Sequence, residues 1–172
     1  MYWILFVMGF IAAVVIALVV GGLATPREHV VSRTTTLRAQ PDRVRQLIRD
    51  VAAYDKWRDD LIEVEIVDPH EPGLRWREIS TGGSVLFGMT EDEPPTRFAA
   101  EVLDEDIPWG GAWTWELEPS DEGTRLTITE RGFVGNPIFR FIGTHFIGFT
   151  GSIDKFINAV ARQLGEAKPR IK

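Results

Sequence analysis

The stretch WGGAWTWELEPSDEGTRLTITERGF, Trp109 to Phe133, carries the reading of the fold. Trp113, Trp115 and Leu117 alternate with Thr114, Glu116 and Glu118. After the break PSDEG, Leu126 and Ile128 alternate with Arg125, Thr127 and Thr129. Two-residue periodicity puts alternate side chains on opposite faces of a strand, here one apolar and one wet. A short break rich in Pro, Ser, Asp and Gly joins such strands as an antiparallel pair. The spacing therefore predicts strands over 111–118 and 124–133, with Trp113 and Trp115 on one inner face.

The same pattern extends upstream. Residues 28–37 (EHVVSRTTTL) read as a first strand. QPDRVRQLIRDV reads as a helix, with Pro41 at its start and Val44, Leu47, Ile48 and Val51 at helical spacing. A short second helix or turn follows through 52–57. Further strands are expected over 61–67, 74–80, 84–91 and 96–103, separated by DPHEPG, TGG, DEPP and DEDIPWG. Inner-face residues include Ile62, Val64 and Ile66; Leu74 and Trp76; Val85, Phe87 and Met89; and Phe98, Ala100 and Val102. One apolar face per strand indicates an antiparallel sheet covered on one side. The cover is a single long C-terminal helix, capped by Asn136, started by Pro137 and ended near Gly165. Its apolar stripe runs through Ile138, Ile142, Phe146, Ile153, Phe156, Ile157, Val160 and Leu164. The fold class is α+β, a curved antiparallel sheet of about seven strands around a long C-terminal helix.

The opening run from Met1 to Ala24 has no charged side chain. As a helix it would be about 36 Å long, against a hydrocarbon core of about 30 Å. Tyr2 and Trp3 lie at one end, where amphipathic rings favour the headgroup level. It reads as a transmembrane helix ending near Gly21-Gly22 and stopped by Pro26. A cleaved signal peptide is the competing reading, since Gly22-Leu23-Ala24 is a small-x-small pattern, but no basic residue precedes the run. Arg27, Arg33, Arg38 and Arg43 follow it, so the positive-inside tendency predicts a single-pass protein with its domain in the cytoplasm. The expected organisation is an anchor over 1–24, a linker over 25–28, one domain over 29–166 and a tail over 167–172.

LRAQPDRVRQLIRDVAAYDKW, GTRLTITERG, PREHVVSR, WRE, GGAWTWELEP and NPIFRF together resemble the START-like, helix-grip domains of the SRPBCC superfamily, in its polyketide cyclase/dehydrase-like branch with an N-terminal membrane anchor. The resemblance implies an apolar cavity between sheet and helix that binds a hydrophobic small molecule, such as a lipid or a polyketide-like metabolite, for carriage or sensing. Cyclase or dehydratase chemistry with an inward glutamate is a second implication, and an interaction module with a filled cavity a third. Trp76, Phe87, Met89, Phe98, Trp113, Trp115, Ile128, Phe146 and Ile153 are the expected ligand-lining residues. For Trp113 and Trp115, plain core packing is the base-rate reading for aromatics at strand spacing and a ligand wall the alternative.

Glu78 and Glu130 continue otherwise apolar faces, after Trp76 and Ile128. A carboxylate against an apolar wall is costly unless paired, and its pKa tends to rise. Both are candidate acid/base or anchor residues, or else strand-end residues reached by water. His145, His29 and His70 lack any partner at metal-ligand or nucleophile spacing and are assigned no site. Ile138 to Phe149 (IFRFIGTHFIGF) is apolar on nearly every side, so it is expected to contact the membrane or a protein partner, to lie over the cavity as a lid, or to be wrapped by the sheet.

A net charge of -6 argues against nucleic acid, whose backbone is held by clustered Lys and Arg. With no cysteine, thiol catalysis and cysteine-metal sites are excluded. No phosphate loop, dinucleotide fingerprint, G-x-S-x-G or H-E-x-x-H occurs, and neither a cofactor nor a metal is expected.

Overall fold

The computed structural model describes residues 2–69, 73–93 and 96–172. His70, parts of the breaks DPHEPG and DEPP, and Met1 lie outside them. The elements run α1 (Tyr2–Ala24), β1 (Glu28–Leu37), α2 (Pro41–Arg49), a 3-10 turn (Val51–Lys56), β2 (Glu63–Asp68), β3 (Arg75–Ser80), β4 (Gly83–Glu93), β5 (Arg97–Val102), β6 (Trp109–Ser120), β7 (Gly123–Val134), α3 (Pro137–Ile142), a π-helical turn (Gly143–Ile147) and α4 (Gly151–Gln163). The strands form one antiparallel sheet in the order β1-β7-β6-β5-β4-β3-β2. Each strand from β2 to β7 pairs with the next, and β1 closes against β7. This is the seven-stranded α+β arrangement expected from the alternation.

The alternation produces the core directly. Trp115, Leu117, Leu126 and Ile128 are buried, while Glu116, Glu118 and Arg125 are exposed. They pack with Leu37, Val44, Ile48, Phe98, Ile153, Phe156, Ile157 and Val160 into one cluster between the sheet, α2 and α4. α4 is amphipathic, burying Ile153, Phe156, Ile157 and Val160 at 3–4-residue spacing. Arg33 of β1 fastens its first turn, donating to Asp154 and Thr150 at 3.0 Å each.

Three local expectations change. The C-terminal helix is not continuous. Gly148 sits at φ +78, a conformation only glycine adopts at little cost, and it ends the π-helical turn through a 2.7 Å bond from its N–H to Gly143 O. Asn136 does cap α3, its Oδ1 accepting from the Ile138 and Phe139 N–H groups. β2 begins at Glu63 rather than 61. Ile62, just ahead of this edge strand, and Ile66 within it are 62% and 39% exposed, so the expected inner face is only partly covered. Trp109, expected in a turn, is the first residue of β6 and pairs with Val134.

At the opposite edge, the segment reaching Lys172 lies against β1. Lys172 exchanges backbone bonds with Thr34 of β1, at 2.9 and 3.0 Å, and Ile171 packs on the core. At the N-terminus, α1 is long and apolar enough to cross a membrane by length and composition.

Candidate functional site

The concave face of the sheet does not close completely on α4. A cavity of about 410 Å³ remains, within the range of small-molecule sites. β3 contributes Trp76 and Glu78, β4 Val85 and Phe87, β6 Trp109, Trp113 and Trp115, β7 Glu130, and α4 Ser152, Lys155 and Phe156. Tyr54, Arg58, Asp60 and Leu61 complete it from the segment between α2 and β2. A filled interior, the expectation of the interaction-module reading, does not describe this region.

The aromatic wall is built by strand register. Trp76 lies opposite Phe87 on β3 and β4, and their rings stack at 5.6 Å. Phe98 lies opposite Trp115 on β5 and β6, stacked at 4.7 Å with planes 7° apart. Trp113 and Trp115 then tilt against each other at 5.7 Å, and Phe156 of α4 meets both at about 6 Å. Trp115 is therefore core and wall at once: 5% exposed, backed by Phe98, and bordering the void. Trp113 is half-buried and also borders the void.

One end of the cavity holds a charged bridge. Arg58 Nη1 donates to both carboxylate oxygens of Glu78 at 2.9 Å. Its Nη2 donates to Asp60 Oδ2 at 2.7 Å, and Trp76 Nε1 donates to Glu78 Oε1 at 3.2 Å. The guanidinium lies 5.3 Å over the Tyr54 ring and 5.6 Å over that of Phe156. Burial raises the Glu78 pKa above the usual carboxylate range, against the opposing pull of Arg58 and Trp76. For Asp60 burial acts the same way, but the hydrogen bonds and charge of Arg58 outweigh it and the pKa falls. The contrast follows exposure, since the Glu78 side chain is 11% exposed and that of Asp60 47%. Burial works against the charge on Arg58, yet Asp60 and Glu78 more than compensate and hold it protonated. Tyr54, buried and near Glu78, is pushed up and stays a neutral phenol. It donates to Ile48 O.

The other carboxylate sits across the cavity. Glu130 Oε1 lies 3.1 Å from His29 Nε2, and Ser152 Oγ donates to Oε2 at 3.3 Å. The His29 ring stacks on Phe149 at 3.9 Å with planes 12° apart. Glu130 thus ties β7 to β1 and to the start of α4, and His29 links it to the segment that joins α3 to α4. Exposed Trp109, Lys155 and Asp60 mark where the cavity meets solvent. Among the described residues no group of three or more His, Asp and Glu is arranged to hold a metal.

Of the residues singled out from sequence, Trp76, Phe87, Trp113, Trp115, Glu78 and Glu130 come together around the void. Met89, Phe98, Ile128 and Ile153 are buried in the core and do not line it. Phe146 is corrected outright. It falls in the π-helical turn, away from the α4 stripe, and is 75% exposed. Tyr54, Arg58, Asp60, Lys155 and His29 were not foreseen. The nearest signal was the pair Arg58 and Asp60, two residues apart just after Trp57.

Three solved structures illustrate the likeness of fold. A START superfamily protein from Mycobacterium smegmatis is 16% identical, with a TM-score of 0.61 over 80% of this chain and 97% of that one. The ZhuI aromatase/cyclase from Streptomyces sp. R1128 is 17% identical, with a TM-score of 0.62 over 80% and 94%. A norcoclaurine synthase point mutant from Thalictrum flavum, in complex with a transition state analogue, is 9% identical, with a TM-score of 0.65 over 80% and 94%. No curated protein matches the chain by sequence. Residues 28–165, from the first strand to the end of the last helix, match the model of the polyketide cyclase/dehydrase and lipid transport family, and the chain belongs to that family.

Proposed function

We propose that this protein binds a hydrophobic small molecule, a lipid or a polyketide-like metabolite, in the cavity between sheet and α4, and that α1 holds it at a membrane for carriage or sensing. The observation that carries the reading is the cavity of about 410 Å³, walled by four tryptophans, with Arg58, Glu78, Asp60 and Glu130 already paired and Lys155 at its exposed rim. Arg58, Glu78 and Asp60 satisfy one another, as do Glu130, His29 and Ser152, so an apolar ligand meets few unsatisfied polar groups. Removing about 250 Å² of apolar ligand surface from water would supply about 6 kcal/mol before binding costs. The basic flank after α1 favours a cytoplasmic domain. The domain organisation read from sequence, with an anchor over 1–24 and one binding domain over 29–166, belongs to the same proposal.

Native mass spectrometry with lipid extraction tests this on the full chain purified gently from its host membrane. A stoichiometric lipid or metabolite, lost in a variant whose cavity is filled by Val85→Trp, is the expected result. A chain that carries no ligand, and gains none from extracted host lipid, overturns it.

A second reading is favoured by the two carboxylates on opposite walls. Glu130, positioned by His29 and Ser152, would move a proton in cyclisation or dehydration of a bound substrate. Turnover of a carbonyl-bearing substrate that is lost in Glu130→Gln with binding retained would select this reading over simple carriage.

A further inference from the structure

α1 is fixed to the domain by a built joint. Its last two turns lose exposure at Leu18, Val19, Gly21 and Gly22, where α3 packs along it. A Cβ on Gly22 would stand 1.9 Å from Pro137 O, so only glycine permits the approach. The Phe141 ring lies over Gly21, 2.7 Å from where a Cβ would stand. Arg140, 4% exposed, donates from Nε to Gly22 O at 2.8 Å and from Nη1 to Val134 O at 3.3 Å. A guanidinium thus caps the Gly22 carbonyl at the negative end of α1 and ties it to the end of β7.

The level of this joint follows from length. Tyr2 to Val20 spans about 28 Å as a helix, close to the hydrocarbon thickness of about 30 Å. A bilayer-spanning α1 therefore leaves the hydrocarbon near Gly21 and Gly22, where α3 is docked. Phe139, Phe146 and Ile147, on α3 and the π-helical turn, are 66%, 75% and 77% exposed. Three large apolar side chains at headgroup level, beside a helix that enters the membrane, have the bilayer boundary as their natural environment.

We propose that Pro137–Ile147 seats the domain on the bilayer surface, with Phe139, Phe146 and Ile147 entering the boundary between headgroups and acyl chains. This rests on the reading of α1 as a membrane anchor and extends it from a loose tether to a fixed orientation. The cavity rim is carried with it. Val134, just ahead of α3, pairs with Trp109, and Pro108 O accepts from Gly135 N–H at 2.6 Å. A ligand leaving the bilayer beside α3 would meet the Trp109 rim with little passage through water.

The chain has no cysteine, so single-cysteine probes can be placed without background. Val14→Cys, Phe146→Cys, Ile147→Cys and Asp121→Cys, each in the full chain, are labelled with an environment-sensitive fluorophore. The labelled proteins are reconstituted in phosphatidylcholine/phosphatidylglycerol vesicles. Val14 reports the anchor, and Asp121, exposed in the turn between β6 and β7, reports solvent. The expected result is quenching of the 146 and 147 probes by shallow spin-labelled lipid, with iodide access reduced about five-fold relative to 121. A Val14 probe in the bilayer with 146 and 147 as open to iodide as 121 overturns the seat and leaves the anchor standing. Shielding from iodide without quenching by lipid also overturns the seat, and indicates a protein contact. A Val14 probe outside the bilayer overturns the anchor reading and the seat with it.

Discussion

Arg58 grips both oxygens of Glu78 with one nitrogen while its other nitrogens hold Asp60, and the whole bridge lies against the aromatic rings of Tyr54 and Phe156. Glu78 is the more deeply buried partner, and burial keeps its pKa above the ordinary carboxylate value despite the guanidinium. A raised carboxylate pKa means that the folded state holds the proton more tightly than the unfolded chain. Folding stability from Glu78 is then greatest below the ordinary value and falls as pH rises through its folded pKa. Asp60 has the opposite sign, its contribution being lost as pH falls through its lowered pKa. Denaturant unfolding across a pH series is expected to show the falling segment in the wild type and not in Glu78→Gln. Persistence of that segment in Glu78→Gln would assign it to another group.

Removing the cation tests the same bridge from its other side. Arg58→Ala leaves the Glu78 carboxylate buried with Trp76 Nε1 as its remaining donor. Breaking a buried pair from one side costs about 3 kcal/mol at neutral pH. The double variant Arg58→Ala/Glu78→Gln is expected to recover most of that loss, because no charge is then stranded. Equal destabilisation of the single and double variants would show that the loss is one of packing on Tyr54 and Phe156.

Trp113 and Trp115 separate stability from binding. Trp115 is stacked on Phe98 and 5% exposed, so Trp115→Ala is expected to cost about 3–5 kcal/mol. Trp113 is half-buried and already borders a void, so Trp113→Ala should cost only about 1–2 kcal/mol. Its larger effect should fall on the affinity of an apolar fluorescent probe for the cavity, read by titration of the full chain in detergent. Similar losses of stability in both variants would mean that Trp113 is ordinary core.

Residue by residue, the legible part of this fold is what local periodicity decides. Trp113, Trp115 and Leu117 face inward because a strand has a period of two, whatever lies across from it. Glu78 and Glu130 were visible as breaks in apolar faces for the same reason. Arg58 and Asp60 were not, because they lie in a turn aimed by contacts distant in sequence. Trp57 O accepts from Arg162, and the Trp57 ring meets Phe156 at 5.7 Å. His29 belongs to the same class. Its register opposite Gly132 brings it beside Glu130, and pairing between β1 and β7 cannot be read from either strand alone. The break in the C-terminal helix hinges on Gly148. A glycine within an apolar helical pattern reads as tolerable until its positive φ is seen.

That break is testable directly. A Cβ at residue 148 would meet no atom within 4 Å, so Gly148→Ala introduces backbone strain without a clash. The expected cost is about 1 kcal/mol, the ordinary penalty for a residue other than glycine at positive φ. A loss above about 3 kcal/mol would exceed what backbone strain alone explains. An unchanged stability would mean that the chain here takes negative φ as readily.

The His29–Glu130 contact leads to a prediction about motion. His29 bonds Glu130 and stacks on Phe149, which in turn lies over Gly143 at the start of the π-helical turn. Phe146 and Ile147 both point outward, and the other ring contacts of the turn are those of His145 and Phe146 with Phe141 of α3. His29→Ala removes the stack and one partner of Glu130 together, and local opening of residues 143–150 should become easier. Amide hydrogen exchange on the full chain is expected to speed up in that segment by about ten-fold, equivalent to about 1.4 kcal/mol of local opening, while α4 and β7 stay protected. His29→Phe, which keeps an aromatic partner for Phe149 but no bond to Glu130, should restore most of the protection if the stack is what holds the turn. Loss of protection in both variants would assign the hold to the bond between His29 and Glu130. Unchanged exchange in both would show that the turn is secured by α3 alone.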